Sequence, residues 1–76
     1  KDLLITSQLR TALILNKEIK ATNYQIDTYK EKIYIYGISL NEDEKKLVLK
    51  EAEEIQDVKK IIASILLVED LRIQKN

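Results

Sequence analysis

One short run limits what this chain can become. Lys32-Ile33-Tyr34-Ile35-Tyr36-Gly37-Ile38 is built of β-branched and aromatic residues, in a sequence otherwise rich in Lys, Glu and Leu. Those residue types fit a pleated, half-buried surface, and alternation sends Ile33, Ile35 and Gly37 one way and Tyr34, Tyr36 and Ile38 the other. Both faces are wholly or partly apolar, which predicts a central strand covered on one side and not plainly solvated on the other. Gly37 is the only glycine in the molecule. Inside a strand pattern a glycine marks a bulge, or a place where another backbone comes close.

The 76 residues make one domain near the lower size limit for a self-sufficient core, since a chain this long buries only about 60% of its unfolded surface. Help from a partner or a second domain is therefore expected. Phe, Trp, Met, Pro, Cys and His are all absent. Without Cys or His there is no thiolate, no imidazole base and no Cys/His metal site. The 13 basic and 13 acidic residues cancel, which disfavours non-specific binding to nucleic acid. Lacking cysteine, the chain carries no sign of its redox compartment. The longest apolar run, Ile61 to Val68, is far shorter than the roughly 20 residues of a membrane span. The sequence starts with Lys1 rather than Met, so it reads as a piece of a longer protein, with any signal peptide or anchoring cysteine lying outside it.

In chain order, Asp2 is placed to cap a helix whose core face is Ile5, Leu9, Ala12 and Leu13, with Asn16 as its stop. Leu3 and Ile14 fall opposite that face, and Leu4 and Leu15 on its flank. Lys17 to Ala21 connects, with Ile19 tucked inward. Asn23 to Tyr29 reads as a strand with Tyr24, Ile26 and Thr28 on one side and Gln25, Asp27 and Tyr29 on the other. Lys30-Glu31 lacks the Asn-Gly or Asp-Gly of a tight hairpin, so a looser loop of four or five residues is expected. Asn41 caps a second helix with Glu44 at its third position, and Glu42, Asp43 and Glu44 favour that end of the dipole. This helix is expected to run to about Ile55. Val48, Ala52 and Ile55 face its core, Leu47 and Leu49 lie beside them, and Glu51, Glu53 and Glu54 face water. Gln56-Asp57 turns into a last strand from Val58 to Val68. Its two apolar faces predict cover on both sides. Glu69 to Asn76 reads as a polar tail or linker. The fold class is thus α+β in the order α-β-β-α-β. The right-handed crossover rule makes the third strand parallel to the second, giving a three-stranded mixed sheet ordered 1-2-3 with two helices packed on one face.

With these segments in view, the sequence resembles the BON domain, named for bacterial osmotically induced and nodulation proteins. The likeness is carried by Ile5-Thr6-Ser7-Gln8-Leu9-Arg10-Thr11-Ala12-Leu13, by Tyr24-Gln25-Ile26-Asp27-Thr28, by Ile33-Tyr34-Ile35-Tyr36-Gly37-Ile38, and by Asn41 through Val58 to Ile61. Gly37 would be the domain's glycine, and residues 1–76 a single BON-like domain with its core at about 3–68. Glu31 and Asp57 stand where the family often has glycine, and Glu51 where it tends to be aliphatic. The hairpin and the exit from the second helix are therefore expected to be built differently. The resemblance implies a bacterial cell-envelope setting, often as tandem copies in periplasmic proteins or outer-membrane lipoproteins. It also implies a module that binds phospholipid surfaces or mediates envelope interactions and is not itself an enzyme. Some relatives stand beside other modules in cytoplasmic potassium-binding proteins or in channels.

The residues themselves offer surfaces rather than a catalytic pocket. Glu42-Asp43-Glu44 is explained by a helix start and Glu53-Glu54 by a wet helix face. The acidic cluster lacks the alternating ligands and central glycine of a calcium loop, and no GxxG loop supports a KH-like reading. No catalytic residue, metal, cofactor or small-molecule substrate is expected. A lipid-binding set comprises Leu3, Arg10, Ile14, Leu15, Lys17 and Lys20, aliphatic side chains beside cations on or just after the first helix. Three cations and two partly buried aliphatics give roughly 5–7 kcal/mol, an affinity of tens of micromolar or poorer for anionic phospholipid. Equally, Leu3, Ile14 and Leu15 could pack on a sister domain. A protein-interface set comprises Tyr29, Tyr34, Tyr36, Ile62 and Leu66 on the uncovered sheet face, suited to a second BON domain or a homo-oligomer, unless the chain ends fold over it.

Overall fold

A computed structural model describes residues 2–68. Lys1, the Asp2 side chain and residues 69–76 lie outside the described part, and with them the expected Asp2 cap and the polar segment Glu69–Asn76. The elements are α1 (Asp2–Leu15), a 3₁₀ turn (Ala21–Asn23), β1 (Tyr24–Tyr29), β2 (Lys32–Ser39), α2 (Glu42–Glu53) and β3 (Lys60–Leu67). The expected order α-β-β-α-β is the observed one. β2 lies in the middle, antiparallel to β1 and parallel to β3.

Alternation along β2 assigns the faces as its residue pattern predicts. Ile33 and Ile35 are fully buried, and Gly37 lies on the same side. Opposite Ile35 stands Ile26 and opposite Gly37 stands Tyr24. Onto this face pack Ile5, Leu9 and Leu13 from α1 and Val48 and Ala52 from α2, with Ile19 of the connection also buried. Both helices therefore sit on one side of the sheet. Gly37 is required by the closeness of β1: a Cβ there would lie 2.4 Å from the Asn23 carbonyl oxygen and 2.7 Å from the Tyr24 ring. Any larger residue must push the β1 backbone away.

Helix ends follow their side chains. Asn16 stops α1 as expected. Its backbone N–H still donates to the Ala12 carbonyl, while its Oδ1 accepts from the Glu18 N–H at 3.0 Å, an Asx turn that leads the chain out of the helix. Asn41 caps α2, with Oδ1 accepting from the Glu44 N–H at 3.0 Å.

Four expectations need correction. The hairpin is a two-residue turn rather than a loop of four or five: Tyr29 pairs with Lys32, and Lys30 and Glu31 both have positive φ, 51° and 67°. Positive φ at both central residues is the mark of a type I′ turn. Asp57 likewise has φ 66°, in the left-handed region that favours glycine. The second helix ends at Glu53, not Ile55. Ile55 follows the cap residue Glu54 and packs at the margin of the core. Glu51 is no solvated residue, since it is half-buried and its Oε2 accepts from Asn16 Nδ2 at 3.1 Å, joining the two helices. Finally, the last strand is not covered on both sides. Among the described residues it is a sheet edge on which nothing is buried, and even Ala63, beside Ile35 on the helix side, is exposed. Its start is held to the hairpin by the Lys59 N–H donating to the Glu31 carbonyl at 2.8 Å and by a Lys59–Glu31 ion pair at 3.1 Å.

Candidate functional site

The outward side of α1 is built by helix geometry from residues that the core does not use. Leu3, Ser7, Arg10 and Ile14 are spaced by four, three and four residues and form one stripe; Leu4, Gln8, Thr11 and Leu15 form the next. All eight are exposed. Leu3 is 82% exposed, Leu4 61%, Ile14 62% and Leu15 75%. Aliphatic pairs thus mark the two ends of the helix, about 16 Å apart along its axis, with polar residues and Arg10 between them. No acidic residue stands between Leu3 and Leu15. Lys17 and Lys20 are exposed on the connection that follows.

This connection meets the start of α2 around an open groove of about 630 Å³, lined in part by Lys17, Lys20, Leu40 and Val68. Its floor is fixed by Glu44, a buried carboxylate. Glu44 Oε1 accepts from the Leu40 N–H at 2.8 Å and Oε2 from the Lys20 N–H at 2.9 Å. A capping-box glutamate would reach the N–H of Asn41, the cap residue. Here it reaches one residue further back and also ties down the connection after α1. Beside it the Tyr24 hydroxyl is hydrogen-bonded to Ser39 Oγ at 2.5 Å. Burial pushes the Tyr24 phenol up to about 12, helped by the nearby Glu44 and opposed by the Ser39 hydrogen bond. Every buried side-chain nitrogen and oxygen among the described residues has a partner, so this network is structural.

Across the sheet, β1, β2 and β3 present a second surface. In register its rows are Tyr29–Lys32–Lys60, Asp27–Tyr34–Ile62, Gln25–Tyr36–Ser64 and, beyond the end of β1, Ile38–Leu66. Tyr29 is 61% exposed, Tyr36 45% and Leu66 56%, while Tyr34 and Ile62 are half-buried. The expected interface residues lie on this one face, apolar toward β3 and polar along β1. Tyr29 stands apart at the hairpin end, with Lys30 Nζ 5.4 Å from its ring centre.

The expected lipid-facing residues divide by position. Leu3, Arg10 and Ile14 share a stripe, Leu15 lies beside it, and Lys17 and Lys20 lie past the helix end. Leu4 and Leu40, the latter 63% exposed, extend these apolar margins. Leu40 was legible in the sequence. It precedes the cap, where an apolar residue normally staples onto the fourth helical position, and that position is Lys45. Among the described residues no group of three or more acidic side chains could hold a metal, and no helix is long and apolar enough to cross a membrane.

No curated protein matches the sequence. The BON domain matches it over residues 1–69, nearly its whole length. The element order is what the likeness implied, Gly37 is the glycine it marked, and the chain belongs to the BON domain family.

Proposed function

We propose that this chain is a non-enzymatic module of the bacterial cell envelope, on its periplasmic side, which associates weakly with anionic phospholipid through the outward face of α1. Membership of a non-catalytic binding family found in envelope and periplasmic proteins supports the setting. The observation that carries the reading is the exposure of Leu3, Leu4, Ile14 and Leu15 on one helix face, with Arg10 among them and no carboxylate. Aliphatic side chains that enter the headgroup layer beside cations make an interfacial helix. Each cation near an anionic surface contributes about 1 kcal/mol, so one copy binds weakly and needs an anchor, a tandem copy or self-association to stay bound.

Co-sedimentation with vesicles of neutral lipid, with and without an added anionic phospholipid, tests this. Binding is expected only with the anionic lipid, and Arg10→Glu or Ile14→Asp each lowers it roughly fivefold or more. Equal binding to neutral vesicles, or full binding by both variants, sinks the reading. A protein interface on the open sheet face is the second reading, favoured by the exposure of Tyr36 and Leu66 beside Tyr34 and Ile62.

A further inference from the structure

β3 is an edge strand of eight residues whose outer side pairs with no described strand. Protein edges are normally blunted by proline, inward-pointing charge, a bulge or shortness. Among the described residues none of these is present, and the one lysine of the strand, Lys60, stands at its first position. Residues 61–68 are Ile-Ile-Ala-Ser-Ile-Leu-Leu-Val, and the pairing with β2 runs unbroken from Lys32–Lys60 to Ser39–Leu67. The other edge, β1, carries Gln25, Asp27 and Thr28. On the helix side of β3, Ile61, Ile65 and Leu67 stay half-buried and Ala63 exposed, although Ile33, Ile35 and Ser39 on the same face of β2 are fully buried. Beside this edge lies one flank of α2. Glu51 bonds to α1 through Asn16, so Leu49, half-buried and about 160° around the helix, lies on the side of α2 away from that bond.

We infer that the outer edge of β3 pairs antiparallel with β3 of a second copy, joining two sheets into one of six strands. The strand is complementary to itself in one register. With Ser64 facing Ser64 on the two-fold axis, Ile62 stands opposite Leu66, Ala63 opposite Ile65 and Ile61 opposite Leu67. All three of these pairs are aliphatic, Lys60 meets Val68, and no like charges meet. Centring on Ala63 instead sets Lys60 against Leu66 and Ile62 against Ser64. The two-fold axis is normal to the sheet, so both copies keep their helices on the same side. This self-pairing is independent of the lipid reading and uses neither α1 nor the tyrosines.

Sedimentation velocity over a concentration series of the 76-residue chain is the experiment. The parent chain is expected to pass from monomer to dimer. Ser64 is exposed, so Ser64→Glu and Ser64→Lys should fold normally by circular dichroism, yet each should raise the dimer dissociation constant at least tenfold by setting like charges together on the axis. Mixing the two variants should restore dimer, and Tyr36→Asp on the open face should leave it intact. A parent chain that stays monomeric at millimolar concentration would assign the edge to a strand of another protein and overturn the inference. So would a dimer that survives Ser64→Glu, disappears with Tyr36→Asp, or fails to return on mixing.

Discussion

β2 and β3 are both eight residues long, rich in isoleucine and paired one to one, yet they differ in almost everything that matters for stability. β2 contributes Ile33, Ile35 and Ser39, all fully buried, and β3 contributes no buried residue. β3 is the more aliphatic of the two. Hydrophobic content therefore does not set burial here. A central strand has neighbours on both edges and helices above, whereas an edge strand with the same letters keeps half of its surface for something else. The core of this domain is built on β2, and its unfinished surface is β3.

The sharpest way to break that contrast is to truncate the same residue type in both strands. Ile35→Ala should cost about 3–4 kcal/mol and Ile65→Ala about 1 kcal/mol in urea unfolding, because only the first leaves a sealed cavity. Equal losses would show that the two strands share one core. A second test uses the hydroxyl pair that roots β1 against β2. The Tyr24 phenol is raised from 10.0 to about 12 by burial, so the fold favours its neutral form. That stabilisation is complete below pH 10 and is lost as pH climbs through 12. Stability of the parent chain should fall across this window more steeply than that of Tyr24→Phe; parallel profiles would remove Tyr24 from the account. The smallest effect belongs to the approach to β3. Asp57 holds a left-handed backbone, and Asp57→Gly should gain about 0.5 kcal/mol by thermal melting. A loss would mean that the Asp57 side chain, not its backbone, positions the strand.

Much of this architecture is legible in the letters, because alternation in Tyr24-Gln25-Ile26 and Ile33-Tyr34-Ile35 and the spacing of Ile5, Leu9 and Leu13 each name an inner face. The hairpin was not, and the reason is a contest between scales. Setting Ile26 opposite Ile35 and Tyr24 opposite Gly37 leaves only Lys30 and Glu31 for the turn. Register, which decides the face of every residue in both strands, outweighs about 1–2 kcal/mol of left-handed strain per residue. The edge position of β3 was hidden because apolar residues on both faces read the same whether the cover is present or still to be supplied. Glu51 was misjudged as a solvated helix charge, and Glu44 was read only as the partner of the Asn41 cap, since Asn16 and the Lys20 N–H come from a distant part of the chain. On the candidate surfaces, Arg10, Ile14 and Leu15 could be placed outward by spacing alone. That Leu40 joins the same end of the molecule depended on the chain path between β2 and α2.

Among the described residues, both helices cover one side of a single sheet, which makes a slab with exposed surfaces back to back. Whatever the outer stripes of α1 rest upon, Tyr34 and Tyr36 look the opposite way. A bilayer under the helical layer would leave the aromatic side free toward the compartment, so occupation of one surface does not obstruct the other. Joining slabs at β3 preserves this arrangement, since both copies turn the same side down. The outcome would be a two-footed platform with a widened aromatic deck.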